Sequence, residues 1–103
     1  MDKLRGFLKY ERKAEDTIAV AERIKNYNEF NKELSNDELK EQGARCMDCV
    51  IPLCHSGCPL GNRIPDFNTA VYQNDWKKAL DILHSTNNFP EFTGRICTSP
   101  CEA

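Results

Sequence analysis

The chain has 103 residues, enough for one domain at most, and its 14 basic and 16 acidic side chains give a net charge of −2. This balance argues against nucleic-acid binding, which usually requires a basic face, and no apolar run approaches the roughly 20 residues that cross a bilayer. The first seven residues lack the apolar stretch of a signal peptide. The composition therefore predicts a soluble, cytoplasmic protein that binds neither nucleic acid nor membranes.

Residues 1–15 read as a polar leader without periodicity, and one domain is predicted over residues 16–103. A long amphipathic helix is predicted from Asp16, a suitable N-cap, to about residue 32. The reason is that Val20, Ile24, Tyr27 and Leu34 recur at helical spacing. No stretch of the chain alternates with the period of a β-strand.

A second helix is predicted to begin after Ser35, because Ser35 and Glu38 form the sequence pattern of a capping box. This helix runs to about Gly43, which is interpreted as a helix C-terminal glycine.

Two more helices are predicted in the second half of the chain. Pro65 suits the first position of one helix, and Asp75 can cap the next, whose apolar face contains Trp76, Ala79, Leu80 and Leu83. We expect helices within residues 16–43 and 63–84 that form even without metal, with the Val20, Ile24 and Tyr27 stripe packed on the last face. The cysteines are expected in irregular loops over residues 46–62 and 93–103.

All six cysteines follow residue 45, namely Cys46, Cys49, Cys54, Cys58, Cys97 and Cys101. In a reducing cytosol such thiols are typical of metal sites and not of disulfides. Soft sulfur ligands suit both zinc and iron–sulfur clusters.

Two details favour iron–sulfur clusters over zinc. A proline follows Cys58, as it follows the fourth cysteine of the bacterial ferredoxin run. One zinc takes four ligands and would leave two cysteines over, whereas two clusters use all six and require two more. Because the chain ends two residues after Cys101, we expect a C-terminal truncation.

Two alternatives remain at this point, a zinc-stabilised helical interaction module that docks through the helix near residues 16–32, and a metal-free, redox-regulated subunit contact. His55 is expected to be a loop imidazole that donates to a backbone carbonyl. His84 is expected to be a favourable cation at the end of the Trp76 helix.

Four motifs carry a resemblance to a known family. RCMDC (45–49), CHSGCPLGNRIP (54–65), TNNFPEFTGRIC (86–97) and PCEA (100–103) resemble the N-terminal iron–sulfur domain of the small (β) subunit of NADPH-dependent glutamate synthase, which is related to the N-terminal domain of dihydropyrimidine dehydrogenase. The resemblance implies an all-α, α-helical ferredoxin-like domain with two [4Fe–4S] clusters. It further implies that Cys46, Cys49 and Cys54 serve one cluster and Cys58, Cys97 and Cys101 the other, with the remaining ligands beyond residue 103.

The resemblance also implies an electron-transfer role. Electrons would pass from NADPH through FAD, bound in a following domain of the same chain, to the clusters and then to FMN on the large (α) subunit, where glutamate forms from glutamine and 2-oxoglutarate. The fragment has no G-x-G-x-x-G motif for a dinucleotide and is not expected to be catalytic alone. Backbone N–H groups of residues 46–58 would bond the cluster sulfurs, and the apolar Met47, Val50, Ile51, Leu53 and Leu60 would shield the clusters from water.

Overall fold

The computed structural model describes residues 5–102; the first four residues of the predicted leader and Ala103 at the end of the predicted domain lie outside this range. Its elements are α1 (Gly6–Lys9), β1 (Asp16–Thr17), α2 (Val20–Arg23), β2 (Asn31–Lys32), α3 (Asn36–Ala44), α4 (Leu53–Gly57), α5 (Ile64–Tyr72), α6 (Trp76–His84), α7 (Pro90–Ile96) and a 3-10 turn (Pro100–Glu102). The domain boundary at residue 16 stays a prediction. None of the helices in this described part is long and apolar enough to cross a membrane.

The capping box at the start of α3 is confirmed. The Ser35 hydroxyl accepts from the Glu38 backbone N–H at 3.3 Å, and the Glu38 carboxylate accepts from the Ser35 N–H at 2.8 Å. Both bonds satisfy N–H groups that the first turn of a helix leaves without partners.

Replacing Ser35 with alanine should lower the free energy of unfolding by about 1 kcal/mol, because an orphaned N–H loses its acceptor. Ser35→Asp keeps an oxygen acceptor and is the matched control. Chemical denaturation followed by circular dichroism measures both, and an equal loss in the two variants would contradict the capping role.

Gly43 is not the helix terminator that the sequence indicated, because it lies inside α3 and is buried. A Cβ atom at this position would lie 3.0 Å from the backbone oxygen of Asn68 in α5. Gly43 therefore allows α3 and α5 to approach closely, and α3 continues to Ala44.

Helix α5 packs against α3 on one side and α6 on the other. The predicted cap of α6 is confirmed, since the Asp75 carboxylate accepts from the Lys78 N–H at 3.1 Å. The buried cluster between α5 and α6 consists of Ala70, Ala79 and Ile82, with Phe67 and Val71 packed against it.

The predicted apolar face of α6 is only partly correct. Ala79 is buried, but Trp76 and Leu80 are exposed, and the second buried residue of α6 is Ile82. Within residues 5–102 the buried apolar side chains are Ala44, Pro65, Ala70, Ala79 and Ile82. This small core leaves room for a bound group to contribute to stability.

The long helix predicted from Asp16 to about residue 32 is wrong. Its place is taken by the four-residue α2 and a small antiparallel hairpin in which Asp16 of β1 pairs with Lys32 of β2. The Asn26 side chain accepts from the Asn28 N–H at 2.9 Å, and such a local bond competes with helix formation. These two-residue strands are too short to produce an alternating pattern in the sequence.

The apolar stripe of the predicted helix also fails to pack on α6. Ile24 is 74% exposed and Tyr27 is fully exposed to solvent. Helical spacing alone was therefore a misleading signal in this segment, because no partner surface covers it.

Helix α1 lies against the end of α3. Gly6 is buried there, and a Cβ atom at Gly6 would overlap the Ala44 carbonyl, whose carbon would be 2.6 Å away. A second link joins the first residues to the rest of the chain, since Arg12 donates to the Glu102 carboxylate at 2.7 Å.

Candidate metal centre

Two cysteine-bearing segments, residues 46–58 and 97–101, meet in the fold although 38 residues separate Cys58 from Cys97. Helix α4 packs directly on the 3-10 turn. A Cβ atom at Gly57 would lie 3.0 Å from Cys101 Cα and 3.1 Å from the Pro100 oxygen, so only glycine fits this contact without a shift.

The prediction that both segments are loops is wrong. Cys54 lies inside α4, α7 ends directly before Cys97, and Cys101 lies in the 3-10 turn. Short helical turns therefore hold part of the cysteine constellation.

The first three thiols interact electrostatically. Burial raises the pKa of the Cys54 thiol, and the neighbouring Cys46 and, more weakly, Cys49 raise it further. Cys46 and Cys49 therefore lie within electrostatic range of Cys54, and the grouping of these three cysteines as one set of ligands stays a prediction.

Cys101 connects the second segment to the first. Burial raises the pKa of its thiol, Glu102 has the next largest effect, and Cys97 and Cys54 add to it. Cys101 is therefore within electrostatic range of Cys97 and of a cysteine from the first segment.

Cys58 has a different environment. The backbone N–H of Asn62 holds the pKa of the Cys58 thiol below its usual value; burial opposes this effect, and the N–H groups of Leu60 and Gly61 reinforce it. The Asn62 side chain lowers the pKa of the Cys58 thiol further, and its oxygen accepts from the Thr86 hydroxyl at 2.6 Å. The grouping of Cys58 with Cys97 and Cys101 stays a prediction.

The backbone turns sharply next to the cysteines. Asp48, Gly61 and Ser99 have φ angles of 54°, 66° and 55°, and each lies two or three residues after a cysteine. For Asp48 and Ser99 this left-handed conformation costs roughly 1 kcal/mol or more. Such turns aim successive N–H groups at one point and form anion-binding concavities that are common at iron–sulfur sites.

One of these N–H groups already bonds sulfur, since Ser99 N–H donates to Cys97 Sγ at 3.2 Å. Sequence reasoning missed Asp48, Ser99 and Asn62, because spacing between cysteines does not reveal which residue takes the left-handed turn. Gly61 had a usable signal, since a glycine two residues after Pro59 is typical of a turn.

The thiols and backbone N–H groups of these segments fit an iron–sulfur cluster. All six cysteines lie within the described residues and each is a free thiol. Across residues 5–102, no three histidine, cysteine, aspartate or glutamate side chains converge on a position for a single metal ion. Soft thiolates with N–H donors around them are the surroundings in which such clusters are bound.

The expectation for His55 is wrong in two respects. His55 lies in α4 and not in a loop, and its buried Nε2 has no hydrogen-bond partner. His84 does lie at the C-terminal end of α6, as predicted.

The apolar residues expected to shield the site are exposed in this chain. Val50 and Leu53 are 97% and 82% exposed, and Met47, Ile51 and Leu60 are also exposed. They leave several apolar side chains exposed along the cysteine segment. Surfaces of this kind are typical of contacts with another protein part.

The pKa directions predict an order of thiol reactivity in metal-free protein. Because the thiolate is the nucleophile, iodoacetamide should modify Cys58 faster than Cys54 or Cys101 at neutral pH. The rate at Cys58 should begin to rise below the pH of about 8.5 typical of a free cysteine, and the rates at Cys54 and Cys101 above it. Peptide mapping by mass spectrometry measures these rates. If the same differences in rate between the three cysteines persist in denaturant, the folded structure is not their cause.

Comparison with known proteins identifies relatives of this chain. A family profile for dihydropyrimidine dehydrogenase domain II, 4Fe-4S cluster, matches residues 23–103. The chain is 51% identical over 98 residues to the glutamate synthase (NADPH) small chain of Mycobacterium tuberculosis, covering 94% of this chain and 20% of that protein. It is 44% identical over 111 residues to the Bacillus subtilis small chain, covering 99% and 22%.

A longer relative is the glutamate synthase (NADH) of Schizosaccharomyces pombe. It is 50% identical over an alignment of 104 positions, covering 99% of this chain and 5% of that protein. The chain thus spans about a fifth of the bacterial small chains.

Proposed function

Because this chain belongs to the family of dihydropyrimidine dehydrogenase domain II, 4Fe-4S cluster domains, we propose that it is the electron-transfer domain of a glutamate synthase small subunit. The family match and the small-chain relatives confirm the resemblance found in the sequence. The observation that carries the proposal is the set of left-handed turns at Asp48, Gly61 and Ser99 beside the cysteines.

We propose two [4Fe–4S] clusters, one held by Cys46, Cys49 and Cys54 and the other by Cys58, Cys97 and Cys101. Each cluster takes four ligands, so each acquires a fourth from outside these six residues. The contact of Gly57 with Cys101 supports two neighbouring sites, because it brings the two cysteine segments together.

When bound, the clusters supply one-electron carriers between NADPH-reduced FAD in the rest of the polypeptide and FMN on the large subunit, where glutamate is made from glutamine and 2-oxoglutarate. The residues of this chain bind the clusters and adjust their reduction potentials. The Asn62 N–H stabilises the Cys58 thiolate, and the Ser99 N–H donates to Cys97 sulfur. Such bonds to sulfur are among the protein's means of setting a cluster potential.

We further propose that the scaffold is of the all-α, α-helical ferredoxin-like class and that the protein is cytoplasmic. The packing of α3, α5 and α6 supports the first statement. Six free thiols support the second, because reduced thiols are typical of the cytosol. The domain contributes to an oxidoreductase without a catalytic residue of its own.

The partners in this proposal are the FAD/NADPH-binding domain of the same polypeptide and the large subunit. The exposed apolar residues Val50, Ile51 and Leu53 support such contacts, because they lie between Cys49 and Cys54 in the sequence and face solvent. The zinc-stabilised docking module loses its main support, since the helix on which it relied is only the four-residue α2.

The test is the metal content of the complete polypeptide purified without oxygen. We expect iron and acid-labile sulfide in equal amounts, at the content of two [4Fe–4S] clusters, and brown absorbance that bleaches on reduction. Cys58→Ser should lose the iron of one cluster, whereas Met47→Leu, a change in the same segment at a residue that is not a ligand, should lose none. A colourless zinc protein, or metal-free thiols that titrate fully, would overturn the proposal.

A further inference from the structure

Two buried side-chain nitrogen atoms lack a hydrogen-bond partner within residues 5–102, Arg45 Nε and His55 Nε2. Arg45 directly precedes Cys46, and His55 directly follows Cys54. Buried polar groups in native proteins nearly always have a partner, because they have given up their bonds to water. Two exceptions that flank the same three cysteines require an acceptor at this place.

The two donors are held by different elements. Arg45 is the C-cap of α3, which packs on α5. His55 lies in α4, which packs on the 3-10 turn, and its backbone N–H donates to the Pro52 oxygen at 3.2 Å. Neither side chain therefore starts from a free end of the chain, and each is attached next to a cysteine of the first segment.

The chemistry of the missing acceptor follows from its neighbours. Thiolates of Cys46, Cys49 and Cys54 and the sulfides of a cluster bound to them are anionic sulfur atoms. They accept hydrogen bonds from N–H groups. A guanidinium N–H and an imidazole N–H both match such an acceptor.

We propose that Arg45 and His55 donate these two N–H groups to sulfur atoms of the cluster held by Cys46, Cys49 and Cys54, and thereby raise its reduction potential. This inference rests on the proposed function. Reduction makes the cluster one unit more negative, so N–H donors stabilise the reduced form more than the oxidised form. The two residues act as positioning residues and not as ligands.

The test is a redox titration of the cluster-loaded complete polypeptide, followed by electron paramagnetic resonance. Arg45→Lys keeps the charge and removes Nε, and His55→Phe keeps a ring and removes both nitrogens. Each change should lower the equilibrium constant for one-electron reduction of one cluster by up to about tenfold, which is about 59 mV, and leave the other cluster unchanged. Unchanged potentials in both variants would overturn the inference.

Matched controls are Arg23→Lys and His84→Phe. Arg23 lies over the Phe30 ring, and His84 is exposed at the end of α6. Both changes should leave both potentials where they are in the wild type, and an equal shift in the controls would show a general charge effect that overturns the inference.

A second measurement does not depend on the stability of the His55 variant. The complete polypeptide labelled with ¹⁵N-histidine should show weak ¹⁵N coupling to a reduced cluster in pulsed spectra, and this coupling should persist when His84 is replaced by phenylalanine. No coupling with intact clusters, or the strong coupling of a directly bound nitrogen, would overturn the inference. A wild-type protein without iron and sulfide would instead overturn the proposed function.

Discussion

Replacing Cys54 with serine should abolish NADPH-driven glutamate formation in the complete enzyme and leave NADPH oxidation by an artificial acceptor intact. Flavin reduction precedes the clusters in the proposed path, so only onward transfer requires them. Cys54 is the cysteine whose replacement tests the site most directly. Its thiol interacts electrostatically with Cys46 and Cys49, and also with Cys101 of the second segment. A serine hydroxyl is a harder ligand than thiolate and binds iron in clusters less well.

Ser56→Ala is the matched control for this prediction. Ser56 lies two residues further along α4 and is exposed, so its loss should change neither activity. Steady-state assays of both reactions on the same preparations measure the effect. If Cys54→Ser also removes NADPH oxidation, the domain chiefly supports the flavin domain and the separation of roles proposed here is wrong.

Replacing Gly6 with alanine should lower the free energy of unfolding by about 2 kcal/mol, the usual scale of overpacking in a close contact. The added Cβ atom would overlap the backbone carbonyl of Ala44, which cannot turn away as a flexible side chain does. Helix α1 must then separate from the end of α3, directly before Arg45 and Cys46.

Gly94→Ala is the opposite case in the same chain. Gly94 lies in α7, and a Cβ atom there would have no heavy atom within 4 Å, so alanine should raise stability by up to about 1 kcal/mol through helix propensity. Denaturant titrations compare the two variants. Equal stability of Gly6→Ala and the wild type would show that α1 does not rest on α3 in solution.

Local signals predicted the N-terminal ends of α3 and α6 well. The caps at Ser35 and Asp75 depend on side chains three residues from their partners, and such interactions are visible in a sequence. The failure over residues 16–32 has a different cause: a helical stripe specifies structure only if another surface covers it, and Ile24 and Tyr27 remain exposed. The prediction that Gly43 ends the helix failed because it also ignored tertiary contacts. Gly43 lies where α3 approaches the backbone of Asn68.

The cysteines of the candidate site were found from residue type and spacing, and the family was found from the resemblance of the motifs that contain them. The surroundings of these cysteines could not be predicted from the sequence. The left-handed turns at Asp48 and Ser99 and the approach of Asn62 to Cys58 depend on backbone angles that many sequences could adopt. The unpartnered nitrogens of Arg45 and His55 become visible only when burial is known.

The contact between α4 and the 3-10 turn has a consequence for the order in which the two proposed clusters would assemble. Cys46, Cys49 and Cys54 lie within nine residues, so the local chain can gather them around iron before the helices pack. Joining Cys58 to Cys97 closes a far longer loop, at an additional entropy cost of about 1.4 kcal/mol. The packing of α3, α5 and α6 and the fit of Gly57 against Cys101 offset that cost. If the ligands are grouped as proposed, the first cluster assembles on residues 46–54 before the helices have packed. The second cluster assembles only after the helices have packed.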